Sequence, residues 1–210
     1  MSPRPYRLGK RQADVEDTRD RIIAAARELF GQSGFYSVSL DDVAKTAGVA
    51  RATVYYQFES KSGLLDAVVA SIIQRVGIER AVRAREHPDA ALGIRIFVQE
   101  VASFNSSEDV LLRNLYGLAA IDPETSRVLE QYEGLRKDAL AWLVKRLADQ
   151  GQLRRGVSQK HAVDMLWMLT SFRSFDQLYT RSGISVRAAS MLLSDLAACA
   201  VLATDAPSPS

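Results

Sequence analysis

The stretch SLDDVAKTAGVARATVYYQF, from Ser39 to Phe58, decides how this chain is read. Ser39 has the character of a helix N-cap, and Asp42, three residues on, supports the same helix start electrostatically. The helix that follows, about Leu40–Ala47, buries Leu40, Val43 and Ala44 on one face. Gly48 then permits the left-handed backbone that closes a helix in a tight turn, and a third short helix spans about Arg51–Phe58. Two short helices joined by a Gly-containing turn make a helix-turn-helix. Val43, Ala44, Val49, Val54 and Phe58 form its small core, and Ala44 and Ala47 are small enough for close backbone approach. The outer face of the second helix offers Arg51, Ala52, Tyr55, Tyr56 and Gln57. Two adjacent tyrosines are costly as solvent decoration and make sense against phosphates or a groove wall. Asp41 and Asp42 read as helix-dipole partners rather than as a metal or acid-base pair.

Outward from this motif, nearly everything is helical. Upstream, Ile22, Ala26, Leu29 and Phe30 share one face of a helix over about Thr18–Gln32, ended by Gly34. Downstream, Lys61 to about Arg85 reads as one long helix with Leu64, Leu65, Val68, Ile72 and Val76 as its stripe, broken at His87-Pro88. Further helices are expected at about Ala90–Phe104, Glu108–Ala120, Pro123–Gln150, Gln159–Arg181 and Val186–Thr204. Period-two apolar runs are absent, so the fold class is all-α.

Composition narrows the functional classes. A chain of 210 residues, 47% hydrophobic and 25% charged, can bury a sizeable core. The net charge of +2 hides an asymmetry: residues 1–11 hold Arg4, Arg7, Lys10 and Arg11 with no acid, whereas residues 62–210 balance 17 basic against 17 acidic residues. The single cysteine, Cys199, lies in an Ala/Leu-rich segment and reads as a reduced core residue of a cytoplasmic protein. No apolar run approaches a membrane span, and the basic N-terminus lacks the apolar region of a secretory signal. His87 and His161 are isolated from any metal-ligating pattern and no phosphate-cradling Gly loop occurs, so no metal, no cofactor and no enzymatic activity are expected.

Residues 18–65 resemble the DNA-binding domain of the TetR (tetracycline repressor-like) family. The resemblance rests on Ile22, Ala26 and Leu29-Phe30, Gly34-Phe35, and Ser39 leading into Asp42-Val43-Ala44. It continues through Ala47-Gly48-Val49 and Thr53-Val54-Tyr55-Tyr56 with Phe58, and ends on Lys61 and Leu64-Leu65. It implies phosphate contacts by Ser39, Thr53, Tyr55 and Lys61, base contacts by Arg51 and Ala52, and Tyr56 lying along the groove. Arg51 is the candidate for direct readout, because its fork matches guanine O6 and N7. Ala50 stands where many members of the family carry a capping Ser. The resemblance implies four regions: a basic flexible arm at 1–17, the helix-turn-helix domain at 18–65, a helical effector-binding and dimerisation domain at 66–204, and a disordered tail at 205–210. The arm's Arg4, Arg7, Lys10 and Arg11 suit an adjacent minor groove, and equally suit a solvated tail.

For the C-terminal region the resemblance implies a homodimer built on the last two helices, with Phe172, Phe175, Ala189, Leu192, Leu193, Leu196, Ala197 and Ala200 in the interface. It also implies a small-molecule pocket among the central helices, lined by Phe97, Val101, Phe104, Leu112, Tyr116, Trp142, Met165 and Trp167 and taking a largely apolar effector. The function so implied is a cytoplasmic, nucleoid-associated regulator of transcription that represses from a palindromic operator. The alternative is a ligand-independent DNA-organising or division-linked protein of the same fold.

Overall fold

The computed structural model describes residues 6–72 and 83–203, with side chains from residue 14 onward. The chain divides into two compact units: the part up to Ile72 together with Arg113–Leu129, and the remainder.

The first unit opens with α1 (Tyr6–Ser33), which therefore starts well before the expected Thr18. Residues 6–17, expected as a flexible arm, have helical backbone; Arg7, Lys10 and Arg11 sit on this helix, and Arg4 lies outside the described residues. Ile22, Ala26 and Phe30 are fully buried along α1 and pack against α2 (Leu40–Ala47) and α4 (Lys61–Ile72). Between them, α3 (Arg51–Phe58) is pinned by Val54 and Phe58. Gly48 adopts φ 67° at the end of α2, where its amide donates to Lys45 O and Val49 N donates to Ala44 O. Any residue with a Cβ is strained there, which is why the turn carries Gly. Leu64, Leu65, Val68 and Ile72 of α4 are buried as their spacing predicts. The rest of the expected long helix, with Val76, lies outside the described residues until a helical stretch at 83–86. The segment that completes this unit includes the start of the long helix α7 (Pro123–Asp149), where Asp122 Oδ2 accepts from Thr125 N at 2.7 Å.

In the second unit α5 (Ala90–Ser107) packs chiefly on α10 (Val186–Val201), and α10 also packs on α8 (Gln159–Leu169). Ile94, Leu140, Leu143, Leu147, Leu166 and Phe175 are fully buried at the centre. Gly93 lets the backbone at Ala84 pass close to α5: a Cβ there would stand 2.6 Å from Ala84 O. The amide donors at the start of α5 are satisfied by the N-cap Asp89, whose Oδ1 accepts from Ala91 N, and by two long-range partners, Gln150 Oε1 for Ala90 N and Gln152 Oε1 for Ala91 N. Residues 109–119 form α6 (Asp109–Ala119), which falls across the division between the units. A lone antiparallel bridge between Leu153 and Leu202 ties the loop after α7 to the end of α10.

The expected helix Gln159–Arg181 is interrupted. It stops at Leu169, a short α9 (Phe172–Asp176) restarts after Ser171, and Gln177–Arg181 continues as a π-turn. Ser171 Oγ caps the new start by accepting from Ser174 N at 3.1 Å, offering the backbone an alternative to continuation. At the break the buried Arg136 guanidinium donates to Trp167 O (2.7 Å) and to the Thr170 hydroxyl (2.5 Å), and Ser174 Oγ donates to Met168 O (2.7 Å), so these two carbonyls are not orphaned. Apolar periodicity runs through residues 159–181 without a gap, so it carries no sign of this break.

Candidate nucleic-acid interface

The helix-turn-helix surface is built upward from a capped α2. Ser39 Oγ accepts from Asp42 N (3.1 Å), and Asp42 Oδ2 accepts from both Ser39 N (2.9 Å) and Ser39 Oγ (2.6 Å), a full capping box. The Ser39 side chain, followed by its backbone amide, holds the Asp42 carboxyl below its ordinary pKa. Ser39 is exposed, but its hydroxyl proton is already engaged by Asp42. The other end of α2 is closed from α1, where Arg21 Nη1 donates to Ala47 O at 3.1 Å. Arg19 likewise donates to Gln57 O (3.2 Å) and lies 4.5 Å over the Phe58 ring, clamping the end of α3. Neither clamp is legible in the sequence, because each joins residues 26 or 38 positions apart.

On α3, Val54 and Phe58 point inward while Arg51, Ala52, Tyr55 and Tyr56 are exposed; Tyr56 is 87% accessible. Thr53 and Gln57 are half-buried at the edges of that face. Ala50 gives α3 no side-chain cap. Arg51 is not a free cation. Its Nη1 lies 2.9 Å from Asp41 Oδ2, and its guanidinium sits 5.5 Å from the Tyr55 ring centroid. Asp41 sits in the first turn of α2 as its dipole reading requires, and it also reaches across the turn to Arg51. Lys61 was expected to offer its charge outward; its ammonium lies 4.5 Å over the Phe35 ring and donates to Tyr36 O at 3.3 Å. Burial pushes its pKa down. One of its three N–H donors is thereby taken.

The C-terminal candidates separate on inspection. Phe172, Phe175, Ala189, Leu193 and Ala197 are buried within the single chain and are corrected from interface to core residues. The cause is the packing of α10 on α5: it consumes the row Ala189, Leu193, Ala197, Val201, which recurs every four residues. Leu192 and Leu196 remain exposed on another face of α10, joined by Ala188 and Cys199, and Ala200 is half-buried. Cys199 is therefore a surface residue, not the expected core one. Met168 and Met191 add exposed apolar area on α8 and α10.

Of the expected pocket residues, Phe97, Phe104 and Leu112 are buried, and Val101, Met165 and Trp167 are half-buried against the core of the second unit. Tyr116 belongs to the first unit. Trp142 is 37% exposed, with the guanidinium groups of Arg85 (4.6 Å) and Arg146 (5.1 Å) over its ring. Arg146 is held there because it also donates to the Arg85, His87 and Pro88 carbonyls. Arg136, not singled out from sequence, is buried and pairs with Glu133; separately, Trp167 Nε1 and Asn105 Oδ1 are buried without a partner. Among the described residues no group of His, Cys, Asp and Glu is placed to hold a metal, and no helix is long and apolar enough to cross a membrane.

A capped helix, a left-handed turn and a second helix displaying arginine and tyrosines, within an all-helical chain, define a helix-turn-helix protein. Residues 22–68 match the family described as bacterial regulatory proteins, tetR family. The chain is 28% identical over 134 residues to the HTH-type transcriptional regulator UidR of Escherichia coli K12, covering 64% of this chain and 60% of that one. It is 47% identical over 62 residues to the HTH-type transcriptional regulator SrpR of Pseudomonas putida, 30% of this chain and 29% of the other. The fold matches that of a transcriptional regulator from Saccharomonospora viridis in complex with choline, at TM-score 0.75 and 18% identity, covering 90% of this chain and all of that one. The likeness to that family is carried by residues 22–68, and the chain spans about 60% of the length of UidR.

Proposed function

We propose that this chain is a homodimeric repressor of transcription that binds a palindromic operator and is released by a small, largely apolar effector. The observation that carries the reading is α3: two inward residues, Val54 and Phe58, fix it to the domain while Arg51, Ala52, Tyr55 and Tyr56 are left outward. Arg51 reads a base edge, and Thr53 and Tyr55 meet phosphates beside it, joined by Ser39 when its hydroxyl turns from Asp42 to a phosphate oxygen. The start of α3, uncapped by Ala50, leaves backbone amides for a phosphate oxygen. Lys61 contributes charge to the backbone through its remaining donors, and Arg4, Arg7, Lys10 and Arg11 add sequence-independent attraction.

One helix-turn-helix covers few base pairs, so specificity needs two half-sites about 34 Å apart and a second copy of the chain. Leu192 and Leu196, with Met168 and Met191, supply exposed apolar surface for that pairing. The effector site is assigned to the second unit, around Phe97, Val101, Phe104, Met165 and Trp167, where unpartnered Asn105 Oδ1 and Trp167 Nε1 offer it one acceptor and one donor. That the fold neighbour was found with choline supports a small-molecule effector. Release follows if the effector prefers the conformer that grips DNA less well.

The reading is tested by in vitro selection from randomised duplexes, followed by mapping of bound genomic sites and sedimentation of the protein. A two-fold symmetric consensus, a few promoter-proximal sites and a dimer lost in Leu192→Glu are expected. Many dispersed sites with no effector response would instead favour a DNA-organising protein, and a monomer with no selected sequence would end the proposal.

A further inference from the structure

We propose that Asp41 is a positioning residue that turns Arg51 into a reader of a base and keeps it off the phosphate backbone; this rests on the DNA-binding reading above. The two acids at the start of α2 have separate partners. Asp42 is fully committed to the capping box with Ser39. Asp41 has no part in that cap; its Oδ2 reaches across the turn to Arg51 Nη1 at 2.9 Å. The guanidinium is held from a second direction by the Tyr55 ring, one helical turn on. Nη1 is thus engaged by Asp41 and the group lies against the Tyr55 side chain, while the Arg51 side chain as a whole stays 59% exposed and accessible on the outer face of α3.

The arrangement has two consequences. An arginine held on a ring and a carboxylate has lost much of its rotamer freedom before DNA arrives, so less ordering remains to be done on binding. A carboxylate at 2.9 Å also makes the pair close to neutral and repels a nearby phosphate. An unpaired arginine at the same position would settle on any phosphate within reach and add to binding of every sequence. With Asp41 in place, the favourable partner left for the exposed guanidinium is a fixed pair of acceptors such as guanine O6 and N7.

Both partners are more than half exposed, so the pair adds little to stability, and its effect is to be read in selectivity. The experiment measures the affinity of the full chain for the duplex it selects and for the unselected random pool, across a salt series. Asp41→Asn is expected to lower the ratio of the two affinities by about fivefold or more. It should also raise binding to the random pool and steepen the salt dependence by about one counterion. Asp41→Glu, which keeps a carboxylate, should restore most of the ratio. In an Arg51→Ala background, Asp41→Asn should leave the ratio unchanged to within about twofold. A simple loss of repulsion would raise affinity for all duplexes in both backgrounds and move no ratio. Full selectivity in Asp41→Asn, or an equal fall without Arg51, overturns this inference alone. Failure of the unaltered protein to select any sequence overturns the DNA-binding reading, and this one with it.

Discussion

The helix-turn-helix and the core of the second unit are both helical packings, yet they are secured in opposite ways. In the first, the motif carries its own local ties, Ser39 to Asp42, Gly48 to Lys45 and Asp41 to Arg51, within a stretch of 20 residues, and Arg19 and Arg21 add clamps from α1. In the second, the ties join residues 30 to 100 positions apart: Gln150 and Gln152 to the start of α5, Arg136 to Trp167 and Thr170, Arg95 to Asp195. Local ties leave one face free for function, whereas long-range ties enclose a core and leave its helices few free faces. Damage should therefore be graded by region, with stability lost mainly in the second unit and recognition lost mainly in the first.

The largest effect is expected for Phe175→Ala, about 3–5 kcal/mol by chemical denaturation, because the ring is fully buried and stacked 5.3 Å from Tyr179. A deficit that appears only on dilution of the protein would return Phe175 to the proposed dimer interface. Glu133→Ala follows at about 3 kcal/mol, since it leaves the Arg136 side chain, only 5% exposed, without its counter-charge; no change in the unfolding midpoint would show that water already reaches the guanidinium. Arg51→Ala should cost about 1–3 kcal/mol of operator affinity and relax preference at one base pair, with the unfolding midpoint unmoved. Equal losses on every operator variant would demote it to a phosphate contact. Gly48→Ala should cost about 1–2 kcal/mol from the left-handed φ of 67° alone, since the nearest side-chain atom to a new Cβ is Arg21 Nη1 at 3.9 Å.

The smallest effect, about 1 kcal/mol, belongs to Ser39→Ala, which removes the α2 cap. It carries a pH signature. The folded Asp42 carboxyl titrates below its ordinary value of 3.8, so its contribution is present above that pH and disappears as pH falls through the lower, folded value. The unaltered domain should lose this contribution only below about pH 4, and Ser39→Ala should flatten that part of the acid limb. An identical acid limb in the two proteins would detach Asp42 from the cap.

Legibility in the sequence follows the same division. Ser39, Gly48, Val54 and Phe58 were readable because caps, left-handed turns and helical spacing act within a few residues. The outward set Arg51, Ala52, Tyr55 and Tyr56 was readable as the remainder of the same helix. Asp41 was legible as an acid in a first turn but not as a partner of Arg51, because nothing local distinguishes the two roles. The helix break at Thr170-Ser171 was missed for a like reason: apolar periodicity runs through it, and the stop depends on Ser171 capping and on Arg136 arriving from α7.

What the amino-acid order determined by itself was the all-helical class, the helix-turn-helix and the face it displays, since each follows from contacts one to four residues apart. Tertiary packing alone decided which apolar stripe of α10 is spent inside the chain and which stays outside. Ala189, Leu193 and Ala197 alternate with Leu192 and Leu196 along one helix, and hydrophobicity ranks the two rows alike. Only the position of α5 tells them apart, because burying one face of a helix necessarily turns the other outward.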